Sequence, residues 1–287
     1  MDEVSSTLSR VRGRVVSGDG TRIAYERRGE GPPLILVSGA LCTAESDRPL
    51  AELLAPHFSV VTYDRRGRGG SGDTRPGRPY AVEREIDDLA ALLDVAGGRA
   101  GVHGTSSGGA LALAAAEAGL PVGQLSVYEP PFSAEAGGGG GGGARETHAA
   151  HGRRLAGLLE RGERGAALEL FRELFPELFP ADAVPPGAPA GSLGSTAWPA
   201  LEAVAHTLAH DHAVLGDGTV PVERLARVHA RVLVVDGGAS PAPTRRAARL
   251  VATSLPRGRH RTLTGQTHAV APQVLAPVLD DFHTPEP

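Results

Sequence analysis

The sequence contains no lysine and no asparagine, so its 29 basic residues are all arginine. It has one cysteine, Cys42, which excludes an internal disulfide and leaves no thiolate cluster for zinc. No apolar run approaches the length that crosses a bilayer, and acidic residues follow Met1 where a secretory signal needs positive charge. We therefore expect a soluble, cytoplasmic protein.

The charge balance says little about macromolecular partners. A formal net charge of −4 gives no reason to expect nucleic acid or an anionic membrane. We expect a small-molecule substrate instead, and the sequence leaves the oligomeric state open. The 287 residues are enough for one large α/β domain with an insertion.

Strands and helices alternate along most of the chain. An Asp19-Gly20 turn predicts a hairpin, and buried strands are predicted over 33–37, 58–63, 99–103, 125–129, 231–236 and 260–263. Predicted helices lie between and after these strands, over 50–54, 80–96, 110–118, 244–254 and 272–282. This order predicts an α/β fold with a doubly wound, mostly parallel sheet.

The alternation stops between residues 133 and 218. A polyglycine run at 137–143 predicts a mobile loop, and helices are predicted over 145–161, 166–178 and 198–214. We interpret 133–218 as an inserted helical cap, with 1–132 and 219–287 forming the two parts of the core.

One pentapeptide carries a catalytic pattern. Residues 104–108, Gly-Thr-Ser-Ser-Gly, fit the G-x-S-x-G nucleophile elbow, which lies between a strand and a helix. A predicted strand precedes this segment and an alanine-rich helix follows it. Ser106 is therefore the candidate nucleophile, whereas no elbow or base pattern surrounds Cys42.

Two cofactor patterns are incomplete. Gly67, Gly69 and Gly72 match G-x-G-x-x-G after a strand, but the prolines that follow prevent the helix that a dinucleotide needs. We interpret this segment as a tight loop and expect no cofactor.

Histidines 206, 210 and 212 with Asp211 resemble a metal cluster, yet no catalytic metal signature is completed, and we expect no metal. His210 and Asp211, together with Trp198, are candidates for substrate contact in the cap.

These motifs together resemble the α/β-hydrolase family, in its serine esterase or lipase-like branch with a helical cap. The resemblance rests on the hairpin, Leu-Ile-Leu-Val-Ser-Gly at 34–39, Tyr-Asp-Arg-Arg-Gly-Arg-Gly at 63–69, the elbow, and the late Gly-Gln-Thr-His that ends at His268. It implies that His268 is the general base and that the backbone N–H groups of Ala40 and Ser107 form the oxyanion hole. The chain departs from the family at Ser38 and Thr105.

The acid of the triad departs from the usual family pattern. The family usually places it after the strand at 231–235, and there the alignment puts Ser240, which cannot act as a carboxylate. Some members carry the acid after the preceding strand, where Glu129 stands. We favour Glu129, with Asp236 as the alternative acid and an incomplete triad as a third possibility.

The resemblance implies a serine hydrolase that cleaves an ester, lactone or thioester through an acyl-enzyme. Two other functions stay open at this point. The same fold could support a lyase, a cyclase or a cofactor-free peroxidase. The departures at Ser38, Thr105 and Ser240 could also mark a small-molecule-binding protein with a vestigial site.

Overall fold

The strands form one mixed sheet. The computed structural model describes residues 9–73, 80–134, 142–175 and 198–284. The strands are β1 (Arg10–Val16), β2 (Arg22–Arg28), β3 (Pro33–Val37), β4 (Ser59–Tyr63), β5 (Ala100–Thr105), β6 (Val122–Tyr128), β7 (Arg231–Gly237) and β8 (Gly258–Leu263). Their order is β1-β2-β4-β3-β5-β6-β7-β8. β2 pairs antiparallel with β1 and β4, and every other described pair is parallel.

Helices cover both faces of this sheet. The core helices are α1 (Arg48–Leu54), α2 (Val82–Val95) and α3 (Ser107–Glu117), and the cap segment holds α4 (Gly142–Glu160), α5 (Arg164–Leu174), α6 (Trp198–Val204) and α7 (Leu208–Val214). The core continues with α8 (Val222–Leu225), α9 (Ala242–Ser254) and α10 (Pro272–His283). α1 and α10 pack on one face, and α2, α3 and α9 pack on the other. The predicted doubly wound, mostly parallel sheet is confirmed.

The sequence explains why the middle of the sheet is buried on both sides. The continuous apolar run of β3 contributes residues to both core clusters, Ile35 and Val37 to one and Leu34 and Leu36 to the other. Such a run suits a parallel strand with helices on each face. Fixing β3 in the middle of the sheet brings the loop after it next to the start of α3.

The loop after β4 buries three arginines. Arg65, Arg66 and Arg68 are at most 1% exposed. The segment turns at Gly67 and Gly69, which have φ of 79° and 50°, and a Cβ on Gly69 would lie 2.2 Å from a carboxylate oxygen of Asp64. The described part of this glycine-rich segment is a turn that directs arginines inward.

The segment 133–218, which we interpret as the cap, begins and ends at one place on the core. Ser133 forms a parallel bridge with Thr219, so the two ends of the insertion lie side by side. An apolar cluster ties the cap to the core, since Leu155, Leu168 and Leu208 pack with Leu41 from the loop after β3. Residues 137–141 of the polyglycine run lie outside the described residues, and α4 begins at Gly142. No described helix is long and apolar enough to span a membrane.

The predicted helix over 198–214 is interrupted. α6 ends at Val204, a 3₁₀ turn follows over Ala205–Thr207, and α7 then begins at Leu208. The Thr207 hydroxyl donates to the Val204 carbonyl at 2.7 Å, the kind of local side-chain bond that competes with helix hydrogen bonding. After the break, α7 buries Leu208, His210, Asp211 and Val214.

Two buried histidines predict how stability changes with pH. Ser126 is hydrogen-bonded to His103 at 2.9 Å and to His283 at 2.8 Å. Burial lowers the pKa of His103 to about 3, and burial with the nearby His103 lowers the pKa of His283 to about 3. The unfolded chain, in which these pKa values are about 6.5, therefore binds more protons as pH falls below that value. Stability contributed by the neutral rings is lost between pH 6.5 and 3.

We expect His283→Gln to flatten this dependence. Each histidine contributes a slope of up to about 1.4 kcal/mol per pH unit, so the melting temperature of the wild type should fall more steeply between pH 6.5 and 4 than that of the variant. Calorimetry over this range measures both slopes. The control is His229→Gln, because His229 is exposed. Equal slopes in the two variants would contradict the assignment.

Candidate active site

Ser106 lies at the turn between β5 and α3. Its backbone has φ 55° and ψ −128°, a strained conformation for a residue with a Cβ. The Ser106 N–H donates to the Tyr128 carbonyl at 2.8 Å, which holds the turn against the end of β6. The strain is maintained because the two glycines of the motif let the backbones touch: a Cβ on Gly104 would lie 2.5 Å from the Gly108 carbonyl oxygen.

His268 and Glu129 meet next to this turn. The Nδ1 atom of His268 lies 2.8 Å from Oε2 of Glu129, and since an ionised carboxylate only accepts, the imidazole donates. The other carboxylate oxygen accepts the Gly237 N–H at 2.7 Å. Both side chains are buried, at 8% and 0% exposure. The carboxylate is thus held on one side by β7 and presented to the imidazole on the other.

The surroundings of Glu129 keep it ionised. Burial acts to raise the pKa of Glu129, but the hydrogen bond from His268, the nearby Ser240 hydroxyl and the Gly237 amide together lower it below the ordinary value. Glu129 also has φ of 43°, which a residue with a Cβ adopts only under constraint. Ser240, at the position where the family places its acid, therefore lies beside the carboxylate that contacts His268.

Asp236, the alternative acid, has a different partner. Its side chain is fully buried, and Oδ2 lies 3.0 Å from Nε2 of His260 on β8. The structure brings Glu129, and not Asp236, to His268.

Two cavities meet at Ser106. The first, of about 100 Å³, lies under the cap and the second, of about 280 Å³, lies beside His268. Ala40 and Ser106 line both cavities, whereas Ser107 lines only the first. The walls of the second cavity include Cys42, whose thiol pKa is raised by burial, a condition that disfavours the nucleophilic thiolate.

The cap residues that we expected near the substrate lie in different places. Asp211 lines the first cavity, but its carboxylate accepts hydrogen bonds from Arg65, Arg68 and the Ser107 hydroxyl. His210 lines neither cavity and stacks on Tyr80 with ring centroids 4.1 Å apart. The side chain of Trp198 lies outside the described residues.

Sequence reasoning missed other residues of the cavity walls. His148 and His151 of α4 line the first cavity with His212, and the His148 and His212 rings stack at 3.9 Å. Burial and the two neighbouring histidines lower the pKa of His212 to about 4, and burial also lowers the pKa values of His148 and His151. The three rings are therefore neutral at neutral pH. The sequence held one sign of this arrangement, because His148 and His151 lie three residues apart in the predicted helix over 145–161 and so share a helix face.

The second cavity also has a wall residue that the sequence did not indicate. Asp47 lines this cavity, and burial raises its pKa to about 7.

The histidines near Asp211 do not converge on one point. The His206 and His210 rings are 6.3 Å apart and perpendicular, while His212 stacks on His148. Within residues 9–73, 80–134, 142–175 and 198–284, no group of three or more His, Cys, Asp or Glu side chains is arranged to hold a metal ion.

The chain belongs to the α/β hydrolase family, whose model matches residues 34–278. It is similar to a solved α/β hydrolase from Sphaerobacter thermophilus, at 50% identity over 95% of this chain and 100% of that one, with a TM-score of 0.79. A hydrolase from Pseudomonas aeruginosa has the same fold, at 24% identity over 98% of this chain and 100% of that one, with a TM-score of 0.71. The family expected from the motifs is confirmed.

The chain matches two curated hydrolases over only part of their length. The chain is 39% identical over 95 residues to an uncharacterized hydrolase of Bacillus subtilis, which covers 33% of this chain and 35% of that protein. It is 38% identical over 105 residues to a putative carbamate hydrolase of Azorhizobium caulinodans, covering 35% and 39% of the two chains. The chain therefore spans less than two fifths of these relatives.

The close approach at the elbow predicts the effect of Gly108→Ala. A Cβ at this position would lie 2.2 Å from the Val37 carbonyl oxygen and 2.5 Å from that of Ser38, and neither backbone group can move freely. We expect a loss of about 1–3 kcal/mol in the free energy of unfolding, measured by urea denaturation. Gly143→Ala is the control, since nothing lies within 4 Å of its Cβ position. A fully stable Gly108→Ala variant would contradict this packing.

Proposed function

We propose that the protein is a serine hydrolase that cleaves a small ester, lactone or thioester through an acyl-enzyme. The proposal rests mainly on one observation: the His268–Glu129 hydrogen bond of 2.8 Å lies at the cavity that Ser106 lines from its strained turn. A nucleophile needs a base, and the base needs a group that orients it. Ser106, His268 and Glu129 are proposed for these three roles.

The proposed reaction begins with proton transfer. His268 carries a proton on Nδ1, facing Glu129, so its Nε2 is free to accept the Ser106 proton as the hydroxyl attacks the acyl carbon. The resulting imidazolium is stabilised by the buried carboxylate. The base then returns the proton to the leaving group, and a water molecule activated in the same way releases the acid.

Negative charge develops on the acyl oxygen during attack. The backbone N–H groups of Ala40 and Ser107 are proposed to bind this oxygen, and both residues border the first cavity with Ser106. Main-chain donors are independent of side-chain identity, so Ser38 and Thr105 do not remove them.

The cavity walls support a modest substrate with apolar parts. The first cavity is bordered by Leu155, Phe171 and Leu208, and the second by Leu50, Val270 and Leu275. Because the cavities meet at Ser106, we propose that the acyl and leaving groups occupy one cavity each.

Labelling tests the nucleophile. A fluorophosphonate probe should modify the native protein at Ser106, since the activated hydroxyl displaces fluoride and the adduct mimics the tetrahedral intermediate. Peptide mass spectrometry locates the adduct. Ser106→Ala should abolish labelling, whereas Ser254→Ala, on α9, should leave it unchanged. Labelling that persists in Ser106→Ala would remove the basis of the proposal.

Paired amide substitutions test the acid. Glu129→Gln should lower kcat on p-nitrophenyl butyrate by about 10³–10⁴, because a neutral amide neither stabilises the imidazolium nor enforces the correct tautomer. Asp236→Asn should stay within about threefold of wild type, because Asp236 contacts His260. The assignment is wrong if Asp236→Asn is the inactive variant and Glu129→Gln is active.

A further inference from the structure

The loop that carries Ala40 contains a strained residue. Leu41 has φ of 61°, in the left-handed region that costs a residue with a Cβ about 1 kcal/mol or more. Such a conformation persists only where neighbouring groups hold it. In this loop the neighbouring group is a guanidinium.

Arg68 spans the strained bend. Its Nη1 donates to the Gly39 carbonyl at 2.6 Å and to the Cys42 carbonyl at 3.2 Å. One side chain is therefore hydrogen-bonded to the backbone on both sides of Leu41. The side chain is 1% exposed, and water therefore does not weaken these charge-assisted bonds. The bend is fixed by a residue that is distant in sequence.

The Gly39 carbonyl and the Ala40 N–H belong to the same peptide unit. No described peptide bond is cis, and in a trans peptide the C=O and N–H point in opposite directions. A guanidinium that holds the carbonyl on one side therefore directs the N–H toward the other. The same bond polarises the amide and makes it a better donor.

The second proposed donor is linked to the same guanidinium. Arg68 Nη2 donates to both carboxylate oxygens of Asp211, at 2.9 Å and 2.7 Å. The Ser107 hydroxyl donates to Oδ1 of Asp211 at 2.7 Å. One carboxylate on the cap helix α7 thus connects Arg68 to the residue whose N–H is the other donor.

Arg65 completes the charge balance of this cluster. It donates to Asp211 at 2.8 Å and to Glu85 at 2.7 Å and 2.9 Å. Burial acts to raise the pKa of Glu85, but the charges of Arg65 and Arg68 and the hydrogen bonds from Arg65 and Tyr80 together lower it to about 2. Two arginines therefore face two carboxylates, Asp211 and Glu85, in one buried cluster of balanced charge.

We propose that Arg68 and Asp211 form a clamp that positions both oxyanion donors, so that the cap is part of the catalytic machinery as well as a cover. Neither side chain touches the reacting atoms in this account. Arg68 acts through the Gly39–Ala40 peptide, and Asp211 acts through Ser107. The inference rests on the proposed hydrolase function and deepens it.

The third buried arginine of the loop provides a matched control. Arg66 is 0% exposed and donates to Asp88 at 2.6 Å and 2.8 Å and to Asp19 at 2.9 Å, on the side toward α2 and the hairpin. Replacing it disrupts a buried ion pair of the same kind without touching the clamp. A purely structural role for Arg68 would make Arg66→Lys and Arg68→Lys behave alike.

The experiment measures kcat and KM for p-nitrophenyl butyrate, and the affinity for n-butylboronic acid, which forms a tetrahedral adduct with an active-site serine. Arg68→Lys and Asp211→Asn should lower kcat about 10- to 100-fold, which is a smaller loss than deleting a donor outright would cause. KM should stay within about threefold of the wild-type value. Boronic acid affinity should fall by the same factor as kcat, because both report on the tetrahedral state. Arg66→Lys should leave all three values near those of the wild type.

Ser107→Ala provides a test that still applies if the Arg68 and Asp211 variants do not fold. It deletes only the hydroxyl that contacts Asp211 and keeps the backbone donor, so kcat should fall about 3- to 10-fold in a stable protein. The clamp is overturned if the wild type is active and Asp211→Asn and Ser107→Ala retain its kcat and boronic acid affinity. It is also overturned if Arg66→Lys loses as much kcat as Arg68→Lys. A wild type that hydrolyses no ester and binds no boronic acid overturns the hydrolase proposal itself, and the clamp with it.

Discussion

The site depends on how closely α3 begins against the sheet. A Cβ on Gly108 would lie 2.2 Å from the Val37 carbonyl oxygen, and one on Gly104 would lie 2.6 Å from the Cα of Gly109. This approach forces Ser106 into its strained conformation at the carboxyl end of β5. Parallel strands have their carboxyl ends at one edge of the sheet, so the loops after β3, β6 and β8 bring Ala40, Glu129 and His268 to the same place.

The proposed acid, Glu129, lies at the end of a strand next to the one after which the family usually places this group. β6 and β7 pair in parallel with Tyr128 opposite Val235, so their carboxyl ends lie next to each other. Glu129 uses this adjacency: its N–H donates to the Val235 carbonyl at 3.0 Å, and its side chain accepts the Gly237 N–H. A carboxylate after β6 therefore reaches the imidazole without a change of fold. The Ser240 hydroxyl lies beside this carboxylate and helps to lower its pKa.

Local patterns were sufficient to predict the strands, the elbow, the core helices and the family. The family resemblance also favoured Glu129 over Asp236 as the acid, and in the structure Glu129 is the one of the two that contacts His268. These features are local or depend on topology alone. They were accessible to reasoning from one sequence.

The buried charges were not accessible in this way. Glu85 and Asp88 look like the polar face of α2, yet both are 1% exposed because arginines from the loop after β4 reach them. The pairing of Asp211 with Arg68 joins residues 143 positions apart, and no local pattern records it. His210 likewise stacks on Tyr80, while His148 and His151 of α4 line the cavity. Contacts between residues distant in sequence decide these positions.

Trapping the acyl-enzyme is the most direct test of the proposed role of Ser106 as the nucleophile. The protein is mixed with p-nitrophenyl butyrate, quenched in acid within the first turnover, and analysed by mass spectrometry. We expect a butyryl group on the peptide that contains Ser106, with release of p-nitrophenol in a burst close to one equivalent per protein. Steady ester cleavage without an acyl group on Ser106, or with the group on another residue, would contradict it.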